Sequence, residues 1–509
     1  MKKNSQDTKT GAYPKARSVA TSTITTVKTP ISTATSSISI TPFRRDAGPP
    51  IGASRRAEST LWPITFTVIA ATRYVNPQKT ILTCRADPSE RQAKPLFRGG
   101  LQRPAVPGGN KEITISNSID IQSANPPGLH RATVAEIHLS NLRNNAQALR
   151  SLLKPGVQLM AVVKANAYGH GALPCTQAVL DAGADTLGVG IVSEGIELRE
   201  QGIQAPIHVL VGIFPDEVDD LIHHNLTTTL HSRSLAETLS QRAGHLGKEV
   251  GVHIKVDTGM GRLGIAPDQL PAWVEFIASL KNIRIESIFT HFSSADNTDP
   301  SFTQNQIKRF QSALDKLKKA KFDIPLAHCA NSAALLQFPE SQFDLVRPGI
   351  CLYGALPAPS LSTVIESLTT KNREFSLLPV MQWKTRILTI NSLKKTSPVS
   401  YGQKFVTQRD SRIATLPVGY ADGLERLLTN RMQVLVRGHK VPQVGTVCMD
   451  MCMIDVTDIA DVQEGDEVVL FGQQGKERIT VDEMATQAET ISYEILCGVG
   501  KRVPRVYLP

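Results

Sequence analysis

Between Gln158 and Gly354 the chain repeats one pattern eight times: a short aliphatic, β-branched run, then a stretch with helical spacing of its apolar residues. The runs are QLMAVVKA (158–165), TLGVGIV (186–192), IHVLVG (207–212), LTTTLH (226–231), VHIKVD (252–257), IRIESIFTHF (283–292), LAHCAN (326–331) and FDLVRPGICLYG (343–354). Helical stretches such as SEGIELREQG, SLAETLSQRAGHLG, PAWVEFIASLKN and FTQNQIKRFQSALDKLKKAK separate them. Eight strand-then-helix units of this length close most simply into a (β/α)8 barrel, an α/β fold. A short strand and a helix over TVAEIHLSNLRNNAQALRSLL, with Leu142, Ala146, Leu149 and Leu153 on one face, precede them. The barrel domain is therefore expected over 129–373.

From about residue 374 the texture changes to β-branched runs broken by turn signals, as in MQWKTRILTINSL, MQVLVRGHKVPQVG and DEVVLFG. A separate, mainly-β C-terminal domain is expected over 374–509. The other end differs again. Residues 1–60 hold 20 Ser/Thr, ten Lys/Arg and three acidic residues, too little apolar surface to offset chain entropy. A disordered basic extension is expected over 1–128, read as a dispensable segment or an early start codon in preference to an organelle transit segment.

Charge follows the same division. The net charge of +10 would suggest nucleic acid if it were spread over the folded part, but residues 1–128 alone carry 18 basic against 7 acidic groups. The remainder is nearly neutral, so no nucleic-acid partner is expected. Seven scattered cysteines with no CxxC pair suit neither a disulfide framework nor a zinc site, and point to a reducing, cytoplasmic compartment with no metal. The most apolar stretch, LWPITFTVIAA (61–71), is too short to span a bilayer, so no membrane partner is expected.

In a barrel of this kind the catalytic groups gather where strands end and the βα loops converge. Lys164 falls at the end of the first run, in apolar surroundings that favour a neutral, nucleophilic amine, although VVK alone suits a lysine snorkelling to solvent equally well. Arg262 in KVDTGMGRLG, His291 in FTHFSSAD, Asn331 and Ser332 in CANSAA, and Arg347 in VRPGICLYG occupy corresponding places. Each is weak alone; together they mark one barrel mouth as a site.

The motifs AVVKANAYGHG, VDTGMGRLG, THFSSAD, ANSAA, RPGICLYG, VSYGQKF, PVGYADG, GTVCMDM, SYEILC and RVPRVY occur in an order that resembles the alanine racemase family, enzymes dependent on pyridoxal 5′-phosphate (PLP). The resemblance covers about residues 131–509. It implies that Lys164 carries the cofactor and serves as one proton-transfer base, and that Tyr401, reaching in from a partner subunit, serves as the other. A base on one face cannot by itself return the proton to the opposite face. It further implies that His291 and Arg347 stand behind that tyrosine and that Arg347 donates to the PLP ring nitrogen. Having no proton to take up, arginine leaves that nitrogen unprotonated. The phosphate would be held by Tyr168, Ser332, Tyr493 and the amides of Gly349 and Ile350, with Asn331 among the cofactor-binding residues. Arg262 would meet the cofactor oxygen and the substrate carboxylate, Met449 would add an amide to that carboxylate, and Tyr420 would line the access channel. Lys255 matches a lysine carbamylated in some members.

The implied activity is interconversion of L- and D-alanine for peptidoglycan, by a homodimer with shared sites. Alternatives within the fold are a broad-specificity or serine racemase, or a PLP decarboxylase. A non-catalytic PLP carrier is a third reading, one for which a β domain bearing Tyr401, Tyr420 and Met449 has no use.

Overall fold

The computed structural model describes residues 131–371 and 375–509. The extension over 1–128, the stretch 61–71, Cys84 and the expected domain junction at 373/374 lie outside the described residues. The described chain opens on strand β1 (Val134–His138) and helix α1 (Leu139–Ser151). Eight parallel strands then close into a barrel: β2 (Gln158–Val162), β3 (Thr186–Val189), β4 (Ile207–Val209), β5 (Thr227–Leu230), β6 (Val250–Lys255), β7 (Ile283–Phe289), β8 (Leu326–His328) and β9 (Leu345–Val346). Closure comes from β9 returning to β2 through the pairs Gln158↔Leu345 and Leu159↔Val346. Helices cover the outside; the longest, Ser301–Lys319, buries Ile307, Phe310, Ala313 and Leu317 along one stripe and ends on three lysines that suit its negative pole.

All eight expected strands are present, each with bounds that differ from its expected run, and two of the differences bear on the site. The run 343–354 forms a strand only over Leu345–Val346 and then a 3-10 turn over Ile350–Tyr353, because Pro348 offers no N–H to a ladder. The first run ends at Val162, so Lys164 lies just past the strand rather than within it. Helix Ser362–Lys371 was not anticipated.

The C-terminal domain is mainly β. A seven-stranded sheet runs His439–Pro442, Gln433–Val436, Glu467–Gln474, Met381–Arg386, β1 and Arg505–Leu508, with Glu477–Ile479 against Glu467–Gln474. A three-stranded sheet joins Thr389–Leu393, Ser411–Leu416 and Cys452–Asp455. Strand β1, placed with the barrel by sequence, pairs antiparallel with Met381–Arg386 and parallel with Arg505–Leu508. Its burial alternates, with Ala135 and Ile137 inside and their neighbours half-buried. That alternation suits a sheet with one wet face, unlike a barrel strand such as β6, which is buried throughout.

One buried amide ties barrel to β domain. The Asn145 Nδ2 on α1 donates to the carbonyls of Leu352 (2.9 Å) and Leu378 (2.7 Å), and its Oδ1 accepts from the Leu378 amide (2.7 Å). Asn145→Ala strips three backbone groups of their partner, and the expected cost is about 3 kcal/mol, measured as a lowered midpoint in denaturant titration.

Candidate active site

Past Val162 the barrel ladder gives one further bond, Val163 N–H to the Gly188 carbonyl (2.9 Å). The chain then makes a left-handed turn, with φ of 53°, 55°, 53° and 52° at Ala165, Asn166, Ala167 and Tyr168. Each such residue costs roughly 1–2 kcal/mol, so the turn persists only because its surroundings hold it. Asn166 Oδ1 accepts from the Ala172 amide (2.7 Å), and the His170 ring, fully buried, places Nδ1 3.0 Å from the carbonyls of both Ala167 and Tyr168. Only the tautomer protonated at Nδ1 satisfies them. Burial lowers that imidazole to about 4, so it stays neutral at physiological pH. The turn exposes Lys164 to the barrel mouth and sends Tyr168 inward, where it stacks on Tyr353 (4.8 Å). Gly349 is required opposite it: a Cβ there would stand 2.3 Å from Tyr168 Oη.

The mouth encloses a cavity of about 490 Å³. Its lining includes Lys164, Tyr168, Lys255, Arg262, His291, Asn331, Ser332, Arg347, Gly349, Ile350 and Tyr493, which are all the barrel-side residues singled out from sequence, together with the β-domain tyrosine Tyr493. Ser332 Oγ accepts from the Gly349 amide (2.9 Å) and Cys351 amide (3.4 Å), so the Gly349 amide, expected among phosphate donors, already has a partner. Asn331 caps helix Ser332–Gln337, its Oδ1 accepting from the Ala334 amide (3.0 Å). Three expected residues lie elsewhere. Tyr401, Met449 and Tyr420 are 75%, 53% and 43% exposed and are held together on the β domain. Thr446 Oγ1 donates to the Tyr401 carbonyl, Tyr420 N–H to the Cys448 carbonyl, and Ala421 N–H to the Met449 carbonyl.

Arg347 is the electrostatic centre of the cavity floor. It is 4% exposed and donates through Nη1 to His328 Nδ1 (2.5 Å) and through Nη2 to the carbonyls of Thr290 (2.9 Å) and Cys329 (3.1 Å) and to His291 Nδ1 (3.2 Å). A guanidinium has no acceptor, so both imidazoles must present a lone pair at Nδ1 and carry their protons on Nε2. His328 Nε2 then donates onward to Ser287 Oγ (3.0 Å) or His253 Nδ1 (3.2 Å), and His253 Nε2 faces Glu286 Oε2 (3.5 Å). His253 and His328 were not singled out from sequence. The signal for His253 was its place two residues before Lys255, which puts both on one face of β6.

Burial, then the charges around it, sets each proton affinity. Lys164 is lowered by desolvation and then by Arg262. Lys255 falls to about 8 through burial and the nearby Arg262 and Arg347. Arg347 itself is lowered to about 10 by burial and stays charged at neutral pH. His291 and His328 are pushed well below 6.5 by burial and then by Arg347. Burial raises Tyr168 and Tyr493, keeping both as hydroxyl donors.

The buried histidines make the fold acid-sensitive. Their folded-state affinities lie below the unfolded value of 6.5, so as pH falls below 6.5 the unfolded chain takes up protons that the native one refuses. Stability present above pH 6.5 is lost on acidification, by up to about 1.4 kcal/mol per pH unit for each fully buried histidine such as His208 or His328. Denaturant midpoints should be flat just above pH 6.5 and fall steeply below it; a flat profile through acid pH contradicts neutral imidazoles.

Comparison with known proteins fits this geometry. The family model for the alanine racemase N-terminal domain matches residues 137–357, and that for the C-terminal domain matches 380–507. An alanine racemase of Halothermothrix orenii is 46% identical over 377 residues, 74% of this chain and 97% of that protein. One from a Nostoc species is 43% identical over 374 residues, 73% of this chain and 94% of its own length. Among solved structures, the alanine racemase of Clostridium difficile superposes with a TM-score of 0.69 at 35% identity, covering 75% of this chain and 96% of that one. The Bacillus anthracis alanine racemase, solved with bound L-Ala-P, gives 0.69 at 33% identity over 75% of this chain and 96% of its own. The barrel, its polar mouth and the mainly-β domain that follows are thus those of the alanine racemase family, to which this chain belongs as an amino-acid isomerase.

Proposed function

We propose that the chain interconverts L- and D-alanine with PLP, using Lys164 and Tyr401 of the partner subunit as two bases, and so supplies D-alanine for peptidoglycan in the cytoplasm. The observation that carries this reading is a division of labour. One cavity collects the amine, the arginines and the hydroxyls, whereas Tyr401, Met449 and Tyr420 sit exposed together on the β domain. A homodimer in which each β domain covers the other barrel mouth joins the two sets. Apolar side chains exposed on both surfaces support it, among them Ile191, Val211 and Phe214 near the mouth and Leu427, Met449 and Met451 on the β domain. The six described cysteines are all free, in keeping with a reducing compartment.

The residues present fit PLP. The hydroxyls of Tyr168, Tyr493 and Ser332 meet the loop after β9 where Gly349 leaves room for a close approach, with Asn331 beside them and an amine and a guanidinium elsewhere in the cavity. When bound, PLP supplies the electron withdrawal that loosens the hydrogen on the amino-acid Cα. The rest falls to the protein. Lys164 Nζ, lowered in proton affinity by burial and Arg262, exchanges a proton with one face of Cα, and the Tyr401 hydroxyl of the partner subunit exchanges one with the other. Arg347 only donates, so it would hold the ring nitrogen of PLP without protonating it. Arg262 holds the substrate carboxylate, the Met449 amide of the partner subunit adds a donor, and Tyr420 narrows the approach.

Lys255 suits carbamylation. With its affinity lowered to about 8, a fraction of the amine is neutral at pH 7 and adds CO2 with release of one proton, giving an anion beside Arg262. Native mass spectra in bicarbonate should show one added CO2 that is lost in Lys255→Ala.

Tyr401→Phe should lower racemisation about 10²-fold or more, read by chiral analysis of L-alanine turnover with added PLP. Near-full activity would rule out the second base. Mixing inactive Lys164→Ala and Tyr401→Phe chains should restore activity through heterodimers, each of which carries one intact site.

A further inference from the structure

Glu194 lies in the first turn of the helix Val192–Glu200 that follows β3, half-buried and outside the motifs that carry the family resemblance. Its two oxygens do different things. Oε1 accepts from the amide of Ala165, the first residue of the left-handed turn after Lys164 (2.6 Å), and Oε2 accepts from the amide of Gly190 (2.7 Å). The carboxylate thus clamps the end of β2 to the end of β3 at the point where the barrel ladder runs out. Gly190 also shows how close Lys164 lies: a Cβ added there would stand 3.2 Å from Glu194 Oε2, 3.6 Å from Lys164 Cβ and 3.9 Å from Lys164 Cδ. The lysine stem and the carboxylate therefore cross the same glycine face.

We propose that Glu194 is a positioning residue for Lys164: its carboxylate pins the strained turn that aims the lysine into the cavity and offers the amine a nearby negative charge. Two physical consequences follow. Charge-assisted bonds to backbone N–H groups are roughly twice as strong as neutral ones, and two of them offset part of the cost of four left-handed residues. The charge also opposes Arg262. Burial and Arg262 lower the proton affinity of Lys164, while Glu194 raises it. Glu194 therefore limits how far burial and Arg262 depress the proton affinity of the amine.

The affinity arm of the test rests on the reading that PLP attaches at Lys164; the charge arm does not. In the full-length chain without added cofactor, acetylation of Lys164 by acetic anhydride is followed by peptide mass from neutral to alkaline pH. Its midpoint reports the proton on the amine. PLP affinity is titrated in parallel. Glu194→Gln removes the charge and can accept only one of the two amide bonds, so the midpoint should move down by about half a unit or more and PLP affinity should weaken about tenfold. Glu194→Asp keeps the charge but is one methylene too short to bridge both amides. Its midpoint should stay near wild type while PLP affinity weakens about fivefold.

A purely structural carboxylate would leave the Glu194→Gln midpoint where it was, and that result overturns the proposal, as does wild-type PLP affinity in Glu194→Asp. If Glu194→Gln does not fold, Glu194→Asp decides alone: weakened binding at an unshifted midpoint supports the clamp and wild-type binding refutes it. PLP binding indifferent to Lys164→Ala, with the acetylation midpoint still shifted in Glu194→Gln, sinks the cofactor assignment and leaves the Glu194 assignment standing.

Discussion

A guanidinium with almost no contact with water is the constraint around which this barrel is arranged. Arg347 cannot be deprotonated cheaply even at about 10, and every group facing it must accept a hydrogen bond. Two carbonyls and two imidazole lone pairs do so. The choice propagates: because His328 turns Nδ1 to the arginine, its proton faces Ser287 and His253, and His253 in turn faces Glu286. One charge therefore sets the tautomers of His328 and His291 at the top of a cluster of aromatic rings in the barrel interior, with His208 on His253 at 3.8 Å and His328 on Phe289 at 4.8 Å. An apolar barrel core would pack as well but could not hold a cation at its mouth in one orientation.

The same logic, with opposite sign, governs the loops that present the other cations. Lys164 immediately precedes a left-handed turn whose first amide is held by the Glu194 carboxylate. Arg262 follows a glycine-rich loop in which Asp257 accepts from the amides of Gly259, Met260 and Gly261 at 2.8–2.9 Å. In both, a carboxylate satisfies backbone N–H groups that a tight turn leaves unpaired, and Glu194 also gives the Lys164 amine a counter-charge. Strain that positions a functional group is tolerated where such bonds over-determine the backbone.

Much of this was legible in the sequence, and what was not has identifiable causes. The eight barrel strands were readable because most are short runs rich in aliphatic or β-branched residues, the pattern that burial on both faces favours. The barrel-side residues were readable as polar exceptions at the ends of those runs. The left-handed turn was not: KANAY is rich in alanine, the best right-handed helix former, and the opposite hand is held by local bonds of Asn166 and His170 together with Glu194 from the helix that follows β3. Strand β1 was misplaced because chain order suggests the barrel, whereas its partners, Met381–Arg386 and Arg505–Leu508, lie hundreds of residues away. His328 sat in the expected strand LAHCAN without attracting notice, since one histidine in an apolar run says nothing of the arginine it meets.

Assembly and proton affinity would be linked in the proposed homodimer. Within one chain Lys164 is half-buried and Arg262 exposed, so water still reaches the mouth and screens the charges that lower the lysine. In the proposed homodimer the partner β domain would cover that mouth and remove water from the amine. Desolvation, already the largest influence on Lys164, then acts more strongly, as does each neighbouring charge. The apolar residues at the barrel rim and on the β domain would drive this closure. In the proposed homodimer the second subunit would contribute more than Tyr401: by drying the cavity it would bring the Lys164 amine nearer to its neutral form, so the pairing proposed to supply one base would also prepare the other.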